Sequence, residues 1–96
     1  MNDTATVHLQ IPTSLTAETV QKVAEDMRGQ QVERHKYVHL DFSETNILTS
    51  PGMQLLLSLE KTLSETGGIM VVSEVKSALR EVFCDLGFER LLRKES

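Results

Sequence analysis

The sequence predicts a single α/β domain, on three observations: strand-like runs alternate with longer helical stripes, the connections are short, and 40% of the 96 residues are hydrophobic, enough for one core. No linker, internal repeat or low-complexity stretch divides residues 1–96, so they are read as one unit. Strands that alternate with helices imply parallel crossover units. The last two strands are therefore expected to be parallel neighbours, with helices covering the sheet.

Val7, Leu9 and Ile11 alternate with His8 and Gln10, the period of a strand buried on one face, and Pro12 ends it. Thr16 is placed to cap a helix whose Val20, Val23, Ala24 and Met27 form one stripe, with Glu18 near its positive end and Gly29 as the stop. Tyr37-Val38-His39-Leu40-Asp41-Phe42 is a β-rich run with apolar residues on both parities, read as a central strand. A polar turn leads to Ser50-Pro51-Gly52, which opens a second helix that runs to about residue 65 and is closed by Gly67-Gly68. Ile69-Met70-Val71-Val72 is the next strand. A third helix over roughly residues 74–86 carries Val75, Ala78, Leu79, Val82 and Phe83 on one side and stops at Gly87, after which Phe88 packs back.

Composition excludes several function classes. A formal charge of -4, with Arg90, Arg93 and Lys94 as the largest basic group, lacks the footprint of phosphate-backbone binding, so no direct nucleic-acid contact is expected. Those three residues read as a solvated face. The longest apolar run, Leu55-Leu56-Leu57, is far short of the roughly 20 residues of a membrane span, and Met1-Asn2-Asp3-Thr4 is not a basic secretory start. A cytoplasmic location without membrane insertion follows as the expectation. Cys84, the only cysteine, falls on the outward side of the third helix and reads as an ordinary surface thiol.

Catalysis or metal binding needs several polar side chains that converge, and the pattern offers none. His35 and His39 have the four-residue spacing of a helical metal pair but straddle a loop and a strand. Gly67-Gly68 lies between a helix and a strand, whereas a phosphate-cradling loop lies between a strand and the following helix. No enzyme, metal or cofactor is expected.

The second helix has an apolar arc of about 200°, twice the ~100° that a one-sided surface helix needs. Leu55, Leu56, Leu59 and Leu63 suffice to face the sheet, which leaves Met53 and Leu57 on a flank with Glu60 and Ser64. This flank is either covered by a neighbouring helix or forms an exposed apolar edge suited to docking. Ser50, just before a proline at the first helical position, has the sequence of a helix N-cap. It also lies where open α/β sheets place their sites, beyond the carboxyl end of a central strand.

Several of these stretches together resemble the STAS domains of bacterial anti-sigma-factor antagonists. They are Tyr37-Val38-His39-Leu40-Asp41-Phe42-Ser43, then Leu48-Thr49-Ser50-Pro51-Gly52-Met53 before a leucine-rich helix, Gly67-Gly68-Ile69-Met70-Val71-Val72, and residues 75–86 followed by Gly87-Phe88. Thr16-Ala17-Glu18-Thr19 also looks like the family's start of the first helix. The resemblance implies a mixed β-sheet of about four strands with helices packed on it, lacking the usual first N-terminal strand. In that family the loop usually reads Asp-Ser-Ser/Thr-Gly, and its first serine is phosphorylated by a partner kinase that is also the anti-sigma factor. Ser50 corresponds to it, while Thr49 stands where the family usually has Asp and Pro51 where it has a small or hydroxyl residue.

By this resemblance the chain is a regulatory protein. It binds a serine kinase/anti-sigma factor through Asp41, Thr49, Ser50, Gly52, Met53, Leu57 and Glu60, is switched by phosphorylation at Ser50, and is reset by a metal-dependent serine phosphatase. The competing expectation is a constitutive STAS subunit of a larger assembly, such as a lipid-transport ABC system or a stress-signalling complex, in which Ser50 only caps the helix.

Overall fold

The computed structural model describes residues 6–94, the side chains of residues 93 and 94 excepted. In chain order the elements are β1 (Thr6–Gln10), β2 (Ser14–Leu15), α1 (Val20–Gly29), β3 (Tyr37–Asp41), β4 (Ile47–Leu48), α2 (Ser50–Thr66), β5 (Ile69–Ser73) and α3 (Ser77–Asp85). Short 3-10 segments occupy Val32–Arg34 and Glu89–Lys94. No described helix is long and apolar enough to cross a membrane.

β1, β3 and β5 form one sheet in that order, both pairings parallel, so the α/β class and the parallel last two strands hold. The register aligns Val7, Val38 and Met70 in one row and Leu9, Leu40 and Val72 in the next, all buried. Strand side chains alternate between faces, so these rows make a continuous apolar floor. Val23 and Met27 of α1, Leu56, Leu59 and Leu63 of α2, and Leu79 and Phe83 of α3 complete the core. Within it the Phe42 and Phe83 rings meet edge to face, centroids 6.2 Å apart. Gly67 ends α2 in the left-handed conformation, φ 81°, and donates its N–H to the Leu63 carbonyl, the role expected of it.

Several expectations are corrected in detail. Where a mixed sheet of about four strands was expected, the described residues form three parallel strands and a separate parallel ladder of β2 with β4. The expected absence of an N-terminal strand bears on residues 1–5, outside the described residues; among the described ones, β1 is paired only through β3. β3 is not buried on both faces: Tyr37 is exposed and His39 and Asp41 are half-buried. α1 starts at Val20, not at Thr16, because the Thr19 hydroxyl accepts the Thr16 N–H at 3.0 Å and donates to the Ser14 carbonyl at 2.8 Å, shaping residues 16–19 as a turn. The Thr16 hydroxyl still accepts an N–H in that turn, from Glu18 at 3.3 Å. α3 begins at Ser77, since Glu74 takes a left-handed φ of 61° and Lys76 is extended.

Thr45 fastens the loop after β3 to the loop after β1. Its side chain is 0% exposed, and its hydroxyl lies 2.8 Å from the Pro12 carbonyl and 3.2 Å from that of Ile11. Replacing it with the near-isosteric Thr45→Val leaves those carbonyls without their donor, for an expected loss of about 1–3 kcal/mol, to be read from the urea unfolding midpoint.

Candidate functional site

The loop from β3 to α2 is held mainly by backbone. The Phe42 N–H bonds the Ser73 carbonyl at 3.0 Å, the Asn46 and Ile47 N–H groups both bond the Thr13 carbonyl, and the Thr49 N–H bonds the Leu15 carbonyl at 3.1 Å. Residues 42–49 are thus laid along residues 11–15, and the β2–β4 ladder is the regular part of that seam. α2 follows at once and is pressed onto β2 through Gly52. A Cβ there would stand 2.5 Å from the Leu15 carbonyl oxygen and 2.8 Å from the Leu15 side chain.

This docking sets the exposure of the helix start. Thr49 is the N-cap, with extended backbone and no side-chain cap bond, and its carbonyl accepts the Met53 N–H at 3.0 Å. Ser50 is therefore the first helical residue, not the cap, and Pro51 is the second, where a missing N–H costs no helical hydrogen bond. Ser50 is exposed, and among the described residues its hydroxyl makes no hydrogen bond. Beside it Thr49 and Pro51 are exposed, and Ile47, at 50%, is the most exposed large hydrophobic residue described. The Lys76 ammonium, just before α3, hydrogen-bonds the Asn46 side chain and adds a cation to the same loop.

The other expected partner-binding residues divide. Gly52 is buried by its packing on Leu15. Met53 is 1% exposed, so the expected exposed edge does not exist there: its side chain belongs to the core. Leu57 is half-buried against that core. Glu60 is held by Arg90, whose Nη1 lies 2.6 Å from Oε2, tying the C-terminal 3-10 segment to the flank of α2. Arg90 is thus an ion-pair partner and not only part of a solvated face; the Arg93 and Lys94 side chains lie outside the described residues.

Asp41, at the end of β3, orders its own turn. Its carboxylate accepts the Ser43 N–H at 2.8 Å. That bond, with a second from the Ser43 side chain and the nearby His39, holds its carboxyl below the usual 3.8.

Sequence reasoning missed a grouping on the uncovered sheet face. His8 and His39 are register partners, ring centroids 4.9 Å apart, and His39 Nε2 hydrogen-bonds the buried Ser73 hydroxyl. His35, which the four-residue spacing sets beside His39 only in a helix, has its Nδ1 3.2 Å from the Gln31 carbonyl. The strand period that put His8 and His39 on polar faces was the available signal. Among the described residues no group of three or more His, Cys, Asp or Glu could hold a metal ion, and Cys84 is exposed.

A parallel sheet packed by helices, with an exposed serine opening the helix after its middle strand, defines a small α/β domain. The STAS domain model matches residues 2–95, and the chain belongs to that family. Among solved structures it is similar to the anti-sigma factor antagonist SpoIIAA in its unphosphorylated form, with TM-score 0.79 and 16% identity, over 100% of this chain and 82% of that one. The Bacillus cell fate determinant SpoIIAA in its phosphorylated form gives 0.73 and 18%, over 100% and 85%. A sulfate transporter family protein from Wolinella succinogenes gives 0.74 and 20%, over 99% and 79%. No curated protein matches the chain in sequence.

Two outcomes follow from the site's geometry. Gly52→Ala forces Leu15 and α2 apart and is expected to cost about 1–3 kcal/mol in urea unfolding. For Asp41, a folded pKa below the unfolded one means that its contribution is present above about pH 4 and fades as pH falls through the folded value. A carboxyl-detected NMR titration should put the Asp41 midpoint below 3.8, with the Ser43 amide resonance moving in step.

Proposed function

We propose that this STAS domain is an anti-sigma-factor-antagonist-like regulator. It binds a serine kinase that serves as anti-sigma factor through the surface around Ser50, and phosphorylation of Ser50 releases it. The observation that carries the reading is the exposed Ser50 hydroxyl on the first turn of α2, without a hydrogen bond among the described residues and next to an exposed apolar residue, Ile47. The docking surface is Ile47, Thr49, Ser50 and Pro51, with the accessible part of Leu57, in place of the buried Met53.

Phosphate on Ser50 adds about -1.5 to -2 charges at the positive end of the α2 dipole, where the folded domain tolerates it. The same charge forced against a partner at an apolar contact such as Ile47 is desolvated without compensation. Truncated buried charge pairs at interfaces cost about 2–5 kcal/mol, about 30-fold to several thousand-fold in affinity, which is enough to reverse binding. The chain is then ligand and substrate of the kinase, in a cytoplasmic setting, and a metal-dependent serine phosphatase restores the binding form.

Thr49, in place of the Asp usual at that position, favours a second reading in which the same surface docks permanently in a larger assembly and Ser50 is never modified. Binding to the co-purified kinase separates the two. Ser50→Asp is expected to weaken it at least ~30-fold while Ser50→Ala binds like wild type and takes up no phosphate. Equal binding by both variants, with no phosphate incorporated into the wild type, rejects the switch in favour of the constitutive subunit. Ile47→Asp is expected to weaken binding at least ~10-fold in either case.

A further inference from the structure

The outer edge of β1 combines backbone groups that no described strand pairs with and an acidic groove. The Ile11 N–H bonds the Asp41 carbonyl of β3 at 2.9 Å, and N–H and C=O groups alternate sides along a strand. Val7 and Leu9 therefore also point their backbone groups at β3, while Thr6, His8 and Gln10 point theirs away from it. No described strand pairs with that outer side. The edge Thr6–Gln10 carries no charge, no proline and no bulge, so it lacks the devices that usually keep a sheet edge from pairing.

Alongside it runs a groove lined by His8, Leu9, Gln10 and Ile11 on the strand side and by Val23, Glu25, Asp26, Gly29 and Gln30 on the α1 side. A Cβ added at Gly29, on the α1 side, would meet nothing within 4 Å, so that part of the wall is open. Both ionised side chains on its helix wall are acidic. Among the described residues Asp26 pairs with Lys22 at 3.5 Å, exposed on both sides, which neutralises little.

We propose that this edge accepts an extended segment of a partner protein carrying basic side chains, which adds a strand to β1 and sets its Lys or Arg residues against Glu25 and Asp26. The backbone ladder gives affinity for any extended chain, and the acidic wall selects a cationic one. The surface uses neither Ser50 nor Ile47 and does not depend on the switch at α2.

The test uses the full chain and two six-residue peptides, one alternating lysine with valine and the other glutamate with valine. In the isolated protein the Thr6, His8 and Gln10 amides are expected to exchange with solvent at least ~10-fold faster than those of Val7, Leu9 and Ile11. The lysine peptide should slow them at least ~10-fold, and the glutamate peptide should not. The double variant Glu25→Lys, Asp26→Lys should lose at least ~10-fold in lysine-peptide affinity. Gln10→Pro, which removes an outward N–H only, should keep the circular dichroism of the parent and abolish the protection. Outward amides already slow in the isolated chain overturn the proposal. They would mean that residues 1–5 or a second copy fill the edge, and sedimentation tells these two apart. Equal protection by both peptides, or none by either, also overturns it.

Discussion

The position of α2, and with it the site, depends on one seam: residues 42–49 bonded along residues 11–15. Thr45 is its interior fastening, a buried hydroxyl within reach of two carbonyls just beyond the end of β1. A buried loop with orphan carbonyls is unfavourable, so the side chain that satisfies them fixes the path of the chain. The two-residue β2–β4 ladder continues that path, and Gly52 lets α2 approach the Leu15 backbone without collision. Because the approach is so close, the first turn turns Gly52 and Met53 inward and leaves Ser50 and Pro51 outside.

Much of this was legible in the chain. The period-two run from Val7 to Ile11, the stripe through Val23 and Met27, and the glycine stop at Gly67 each act through local geometry that sequence records directly. The errors arose where one element is shaped by another. Ser50-Pro51 has the form of a cap followed by the first helical residue, yet the Thr49 N–H donated to the Leu15 carbonyl and the Thr49 carbonyl that accepts the Met53 N–H assign the cap to Thr49 and move each residue one place inward. A helical wheel gives the angle of Met53 but not what lies beyond it. Met53 joins the core through the tertiary packing of α2, which has no periodic signature in the sequence.

The sheet itself departs from the usual rule that parallel strands are covered on both faces. The rows through Val7 and Leu9 are buried, while the alternate rows carry Thr6 with Tyr37 and Ile69, His8 with His39 and Val71, and Gln10 with Asp41 and Ser73. His39 and Asp41 interrupt an otherwise apolar β3 for that reason. They stand on the uncovered side, where polar groups keep their hydration and satisfy one another through Ser73 and Ser43.

The all-parallel pairing also dictates how the chain must assemble. Thr6 meets Tyr37 and Tyr37 meets Ile69, so each strand contact closes a loop of about thirty residues, and no β-hairpin exists among the described residues to start the sheet cheaply. A helix must therefore form and collapse onto its flanking strands before those strands gain their ladder. β3, which pairs on both sides, is the one strand common to every such step. Val38 and Leu40, paired on both sides and buried, are therefore contacts that every order of strand addition to this sheet must form.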